Sequence, residues 1–412
     1  MRRVVITGMG AVTPVGSELN KFWTNLKNGY NGIADITRFD TADFKVKLAA
    51  EVKDFDILRY YSNSNEIRKA DQFVHYAVGA ACDAVEDSGL KDFDKYRAGV
   101  YVGSGIGGIS TFINQVHTLD ERGPSRVSPF FISMMISNMA AGAISIRFGI
   151  KGPTLPIVTA CATSGNTIGE AYRTIKHGYA DIIIAGGSES SINELAIAGF
   201  TTCKALSESN DRNRASIPFD AERSGFIMGE GAGIMILEDY VHAIQRNAKI
   251  YAEVCGYGNT CDAYHVTAPD PGGEGAQRAV QAALDESEIN INESKNIYIN
   301  AHGTSTQMND KIETAAIKKI FGENAKDLYI SSTKSMTGHM LGAAGAVELI
   351  ASALALRDGI IPPTINYKIA DTDCDLNYTP NKSCEADIEY ALSSSFGFGG
   401  HNACVALKKF HN

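Results

Sequence analysis

Short apolar, β-branched runs alternate along this chain with longer stretches whose apolar residues recur at helical spacing, the pattern of an α/β fold. Arg3 to Thr7 predicts an opening strand, and Lys249 to Cys255 predicts a matching one past the middle. Val100-Tyr-Val-Gly and Ile297-Tyr-Ile-Asn form a second matched pair. Each half then carries a polar turn that leads into a helix of small residues. In the first, Leu155 to Val158 predicts a buried strand, and Ile168, Ala171, Tyr172 and Ile175 repeat at helical spacing until Gly178, a predicted C-terminal cap. In the second, Thr337-Gly-His339 leads into Met340 to Leu356, where Glu348 is the one charge, and a helix apolar on every side is a buried one. These echoes predict two halves on one plan, residues 1–248 and 249–412, with both turns meeting at one site.

Composition narrows the picture. The chain has 412 residues, 44% hydrophobic and 21% charged, which predicts a soluble globular protein. A net charge of -9 argues against a phosphate-driven nucleic-acid binder, and no apolar stretch approaches membrane-spanning length. Gly8 and Gly10 interrupt the N-terminal apolar run, so it reads as a strand with a glycine turn and not as a signal peptide. Eight cysteines without CxxC spacing predict reduced thiols in a cytoplasmic protein. Nine histidines without HExxH or other zinc spacing predict no catalytic metal.

Candidate chemistry concentrates at the two turns. Cys161, in Thr159-Ala-Cys-Ala-Thr-Ser-Gly165, falls where a strand passes into a helix. Free N–H groups and the helix dipole there favour a thiolate, which predicts a lowered thiol pKa and a nucleophile; the plain alternative is a small buried cysteine at a tight turn. His302 follows a strand into a hydroxyl-rich loop with Thr304 and Thr306, and Ser331 to His339 adds Lys334 and a second histidine. His265 and His401 also stand in polar loops. Asp310 and Glu313 open a helical stretch, where acids complement the dipole or pair with Lys334 if the fold brings them together. Gly103-x-Gly105-x-x-Gly108 formally fits a dinucleotide fingerprint, but the acids that follow, Asp120 and Glu121, end no second strand. Tight turns and close backbone packing account better for these glycines.

Seven strings in order then carry a resemblance over nearly the whole chain: Val5-Ile-Thr-Gly-Met-Gly-Ala-Val-Thr-Pro-Val-Gly, Gly103-Ser-Gly-Ile-Gly-Gly, Thr159-Ala-Cys-Ala-Thr-Ser-Gly, Met228-Gly-Glu-Gly-Ala-Gly, Asn300-Ala-His-Gly-Thr-Ser-Thr, Lys334-Ser-Met-Thr-Gly-His and Phe396-Gly-Phe-Gly-Gly-His-Asn402. The chain resembles the β-ketoacyl-[acyl-carrier-protein] synthases of the condensing-enzyme superfamily, most closely type II of bacterial fatty-acid synthesis. The resemblance implies a thiolase-like duplicated five-layer αβαβα fold, a homodimer and an acyl-carrier-protein partner. It implies no cofactor beyond the phosphopantetheine that carries the substrates.

By the same resemblance Cys161 accepts an acyl chain, His302 and His339 promote decarboxylation of malonyl-carrier protein, and the N–H groups of Cys161 and Phe398 serve the tetrahedral intermediate. Lys334, supported by Glu313, orders the site. Thr304, Thr306 and Thr267 bind the phosphopantetheine arm, and Phe398 is a gate between its glycines. Ile106, Phe131 and Phe200 line an apolar acyl tunnel, Ile106 towards the partner's pocket. Arg68, Lys69, Arg126 and Lys204 receive the acidic carrier protein. Where the family commonly has Pro-x-Gly-Asp, this chain has Gln307-Met-Asn309-Asp310, which predicts a left-handed turn at Asn309 and a looser loop beside Thr306. The main alternative is a ketosynthase of a type II polyketide pathway. A thiolase, with Cys404 beyond the glycine motif, and an inactive chain-length partner, a class without the cysteine, fit the motifs less well.

Overall fold

A computed structural model describes residues 1–411, without the side chains of residues 293–295. Ten strands form one sheet: β1 Val4–Val12, β2 Ala98–Gly103, β3 Thr154–Leu155, β4 Ile182–Glu189, β5 Gly231–Asp239, β6 Ala252–Cys261, β7 Ile297–Asn300, β8 Tyr329–Ser331, β9 Tyr390–Gly397 and β10 His401–Lys409. Their spatial order is β8-β7-β9-β10-β6-β1-β5-β4-β2-β3. Read outward from the central β1–β6 pair, each set of five follows the same sequence of strands. The central pair is antiparallel, with Val5 opposite Glu253.

Helices fill the layers on either side of this sheet. α1 Gln72–Ser88 and α2 Met139–Phe148 cover the outer face of the first five strands. α4 Glu274–Ser287 and α5 Gln307–Phe321 cover the outer face of the second five. Between the two sets lie α3 Thr163–Lys176 and α6 Ala344–Asp358, which pack against strands of both. The result is the αβαβα layering of the thiolase-like fold. α6 is buried from Ala344 through Leu356, because it has sheet on two sides and a helix on a third. No helix among the described residues is long and apolar enough to cross a membrane.

The two halves echo each other down to single residues. A Cβ placed on Gly8 or Gly10 of β1 would come within 2.2 and 2.0 Å of the carbonyl oxygens of Ala84 and Ala80 on α1. On Gly256 and Gly258 of β6 it would meet those of Ala283 and Ala279 on α4, at 2.2 and 1.8 Å. In both halves a Gly-x-Gly strand therefore lets a small-residue helix lie directly on the backbone, as close packing demands.

Three local expectations change. The buried strand predicted over Leu155 to Val158 is only β3, a two-residue strand at the sheet edge, with Leu155 and Val158 each 48% exposed. An edge strand has a neighbour on one side alone, so its apolar residues are not covered within this chain. The strand predicted from Lys249 starts at Ala252. The helix predicted from Met340 begins with a tight 3₁₀ turn, Leu341–Ala343, before α6 proper. Gly178 does close α3, with φ +81° and its N–H donated to Ile175 O.

Candidate active site

The first-half turn is a 3₁₀ segment, Ala160–Ala162, that feeds directly into α3 and carries Cys161 at its centre. Ala160 sits at φ +51°, an uncommon conformation for a residue with a side chain. Gly397, at the end of β9, makes that turn fit: a Cβ there would stand 2.6 Å from Thr159 O and 3.1 Å from the Cys161 nitrogen. From the same loop the Phe398 N–H reaches the Cys161 sulphur, as does the N–H of Cys161 itself.

The second half supplies both histidines. His302 follows β7, and its backbone N–H is donated to Glu313 Oε1 at 2.8 Å, while the Gly303 N–H goes to Oε2 at 2.8 Å. Lys334 opens a one-turn helix, Lys334–Thr337, which Gly338 ends at φ +64°; His339 comes next, with its N–H donated to Ile227 O at 2.7 Å. The two imidazoles meet edge to face with centroids 5.3 Å apart, and Phe396 and Phe226 pack on them at 5.5 and 5.1 Å. Cys161, His302 and His339 all open onto one cavity of about 260 Å³.

A buried ion pair lies behind that wall. Lys334 and Glu348 form an ion pair, and both are almost wholly buried. Burial pushes the Glu348 carboxyl up to about 7 even though Lys334 pulls it back. Burial likewise raises Glu313 to about 7 against its two backbone hydrogen bonds. Both histidines are held well below the ordinary imidazole value, first by burial and then by Lys334, so both rings are neutral at pH 7. Nδ1 of each ring has no hydrogen-bond partner among the described residues. Glu189, fully buried, accepts from the Ser104 and Ser191 hydroxyls and from the N–H groups of Gly105, Ile106 and Gly342. The glycine string that resembles a nucleotide fingerprint thus wraps a carboxylate of the chain itself.

The two halves of the chain match the family models for the beta-ketoacyl synthase N-terminal domain, over residues 1–243, and C-terminal domain, over residues 251–368. The chain belongs to the beta-ketoacyl synthase family. It is 51% identical over 412 residues to the 3-oxoacyl-[acyl-carrier-protein] synthase 2 of Staphylococcus aureus (strain N315), covering 99% of both chains. Identity to the protein of that name in Synechocystis sp. is 48% over 412 residues, covering 99% of this chain and 98% of the other. Among solved structures it superposes at TM-score 0.92, with 35% identity and full coverage of both chains, on a chain of the AntDE:AntF complex, a type II PKS acyl-carrier protein with its ketosynthase bound to the hexaketide. A Beta-ketoacyl synthase from Burkholderia phymatum matches at TM-score 0.90 and 33% identity over the full length of both.

Against the family's motif positions, the cavity wall holds Thr304, Thr306, Thr267, Phe200, Lys204 and Phe398 as well as Cys161, His302 and His339. Phe398 lies 6.2 Å from Phe200, ring to ring, and Gly399 and Gly400 behind it have φ +86° and +76°. Ile106 and Phe131 are not on the wall: Ile106 is 37% exposed, and Phe131 pairs with Phe112 at 6.3 Å. Their segments turn outward from the single chain. Arg68, Lys69 and Arg126 are exposed away from the cavity, and Lys204 is at its mouth. His265 and His401 do not reach it, and Cys404 is buried in β10. Sequence reasoning gave no role to Phe226, Asp262 and Asn402, among others on the wall, or to Glu189 behind it.

Three expectations about the site are corrected. The Cys161 thiol is pushed up to about 12, because burial outweighs Lys334 and the two N–H groups. The partner of Lys334 is Glu348, while Glu313 is committed to backbone N–H groups. Asn309 lies in the first turn of α5 and donates to Asp310 Oδ1; the left-handed residue of the loop is Ser305, at φ +69°. In that loop Gln307 donates its side-chain amide to the Arg223 carbonyl.

Glu348→Ala leaves Lys334 as an uncompensated buried charge, and urea denaturation is expected to show a loss of about 3–5 kcal/mol. A loss below about 1 kcal/mol would mean that the pair is solvated. Because the two imidazole pKa values are depressed, their protonated forms stay minor as pH falls through the ordinary value of about 6.5. Nitrogen-15 NMR of histidine-labelled protein should therefore show both rings neutral from about pH 8 to about pH 6, and titration in that window would contradict the burial argument.

Proposed function

We propose that the chain catalyses the decarboxylative Claisen condensation of fatty-acid elongation. Acyl-carrier protein gives its acyl group to Cys161, with exchange of one thioester for another, and the thiol proton leaves with the displaced pantetheine thiolate. The neutral imidazoles of His302 and His339 are the groups in the cavity able to relay that proton. Malonyl-carrier protein then loses carbon dioxide, and the electron pair of the broken C–C bond passes into an enolate. A neutral imidazole N–H donates to the enolate oxygen. The enolate carbon attacks the Cys161 thioester, the C–S bond breaks, the departing Cys161 thiolate takes up a proton relayed from solvent through the imidazoles, and 3-oxoacyl-carrier protein departs. The N–H groups of Cys161 and Phe398 hold the oxyanion of each tetrahedral intermediate.

The observation that carries this reading is the opening of one sulphur and two neutral imidazoles onto a single cavity, with two N–H groups turned to the sulphur. Desolvation pushes the Cys161 thiol up, and the imidazoles on the same cavity are the groups that would take its proton as it attacks. Thr304, Thr306 and Thr267 line the approach that the phosphopantetheine arm would take, and Phe398 between its glycines is the gate. Lys204 at the mouth, with Arg68, Lys69 and Arg126, offers positive charge to an acidic carrier protein. The similarity to a polyketide ketosynthase favours a second reading, in which the same chemistry extends a polyketide chain.

We further propose a homodimer. β3 offers an unpaired edge with Leu155 and Val158 exposed, and the helix Ile109–Arg122 exposes Phe112, Val116 and Leu119 along one face. Exposed edges and contiguous apolar faces of this kind mark surfaces that pair. Across such an interface Ile106 and Phe131 would contribute to an acyl tunnel that one chain leaves unfinished.

Cys161→Ala is expected to abolish acyl-enzyme formation from radiolabelled acyl-carrier protein, while His302→Ala and His339→Ala still acylate but condense at least ~100-fold more slowly. Label retained by Cys161→Ala, or condensation at the wild-type rate in either histidine variant, would overturn the corresponding role. Run with saturated acyl chains and with β-keto chains, the same assay separates the two pathways. Sedimentation is expected to give a dimer that Leu155→Asp with Val158→Asp converts to monomer; a monomeric wild-type chain would overturn the second proposal.

A further inference from the structure

The loop from Gly303 to Thr306 puts two hydroxyls on the cavity wall, Thr304 Oγ1 and Thr306 Oγ1, 3.0 Å apart. Its backbone is strained, with Gly303 at φ +37° and Ser305 at φ +69°. Such a path persists only where its surroundings hold it. Glu313 and Ser332 hold its start at Gly303, the Gly225 N–H holds Ser305 O, and two side chains, Arg223 and Gln307, tie its far end. Arg223, a fully buried side chain, donates from Nε to Thr306 O at 3.2 Å and from Nη2 to Gln307 O at 3.0 Å. It is itself anchored by Asp371, by Asp310 at 3.6 Å and by Asp220 O at 2.9 Å. In return Gln307 donates its side-chain amide to Arg223 O and, at 3.4 Å, to Ala221 O. The segment around Arg223 and the loop are thus tied reciprocally, each side chain gripping the other's backbone.

Gln307 is the first residue of α5, where a backbone N–H has no intrahelical acceptor. The preceding Thr306 has φ -94° and ψ 144°, the extended region to which a following proline confines its neighbour. A proline would therefore fit at position 307 without disturbing the loop. We propose that Gln307 is a positioning residue for the carrier-borne arm, its amide clamp doing by hydrogen bonds what a proline ring would do covalently. The clamp holds Thr304 and Thr306 at the spacing that receives the arm's amide groups, and it reaches neither Cys161 nor the two imidazoles. This inference rests on Thr304 and Thr306 binding the arm.

The test compares the full-length wild type with Gln307→Ala, Gln307→Pro and Thr306→Val. Hydrogen–deuterium exchange is followed in peptides spanning residues 303–309, and KM and kcat are measured for malonyl-acyl-carrier protein. Gln307→Ala is expected to speed exchange in that segment and to raise KM about 3- to 10-fold with kcat little changed, the scale of one lost hydrogen bond. Gln307→Pro is expected to return both quantities to wild-type values. Unchanged exchange or unchanged KM in Gln307→Ala, or a folded Gln307→Pro that fails to restore them, overturns the clamp. A wild-type KM in Thr306→Val overturns instead the arm-binding reading beneath it, and the proposal with it.

Discussion

The structure depends on the close approach of two buried helices at their first turns. Gly345 of α6 lies against Gly165 of α3: a Cβ on Gly345 would stand 3.0 Å from the Gly165 nitrogen and 2.9 Å from Ser395 Oγ. The Ala346 N–H is donated to Ser164 Oγ at 2.9 Å across the same contact. Neither helix could shift outward without opening the core that both sets of strands share, and interiors packed to crystal density resist such voids. The 3₁₀ turns ahead of the two helices are consequently held side by side. One carries Cys161, and the other begins at Leu341, past His339 and Met340.

The electrostatic design follows from that geometry. The two imidazoles on the cavity wall are uncharged at rest, Lys204 and Asp262 stand elsewhere on that wall, and the buried ion pair and acids lie one layer behind. Lys334 faces Glu348, Glu313 holds the backbone of His302 and Gly303, and Glu189 gathers the glycine loop and the turn before α6. A reaction that makes an enolate and an oxyanion in passing gains most from donors already in place, since nothing needs to reorganise when charge appears. Burial makes those donors stronger and makes resting charge costly. The same burial overrides the helix N-terminus at Cys161, which from sequence alone reads as a thiolate-favouring position.

Much of the site was legible in the chain because its chemistry sits at junctions with local signatures. Cys161, His302 and His339 each stand between an apolar run and a glycine-marked turn, and the structure puts all three on one cavity wall. Glu348 was visible as the one charge in an otherwise apolar helix, yet its partner was not, since the choice between Glu313 and Glu348 turns on which side of Lys334 each helix passes. Asp262, Phe226 and Asn402 carry no periodicity that separates a wall residue from an ordinary core or loop residue. The edge position of β3 was hidden for a related reason: an apolar β-branched run looks the same whether it is covered by its own chain or left bare at the rim of a sheet.

By itself, the sequence determined the α/β alternation, the two-part plan and the choice of Cys161, His302 and His339, which the structure brings to one cavity. These are encoded by local rules, in which the spacing of apolar residues selects the element and glycines permit the turns and close approaches. Tertiary structure alone decided the direction in which desolvation moves the thiol, the counter-ion of Lys334, the grip of Gln307 on the segment around Arg223, and which apolar residues face the cavity and which face outward. Each of those depends on solvent exclusion or on contacts between residues far apart in the chain, and no spacing along a strand or helix specifies either.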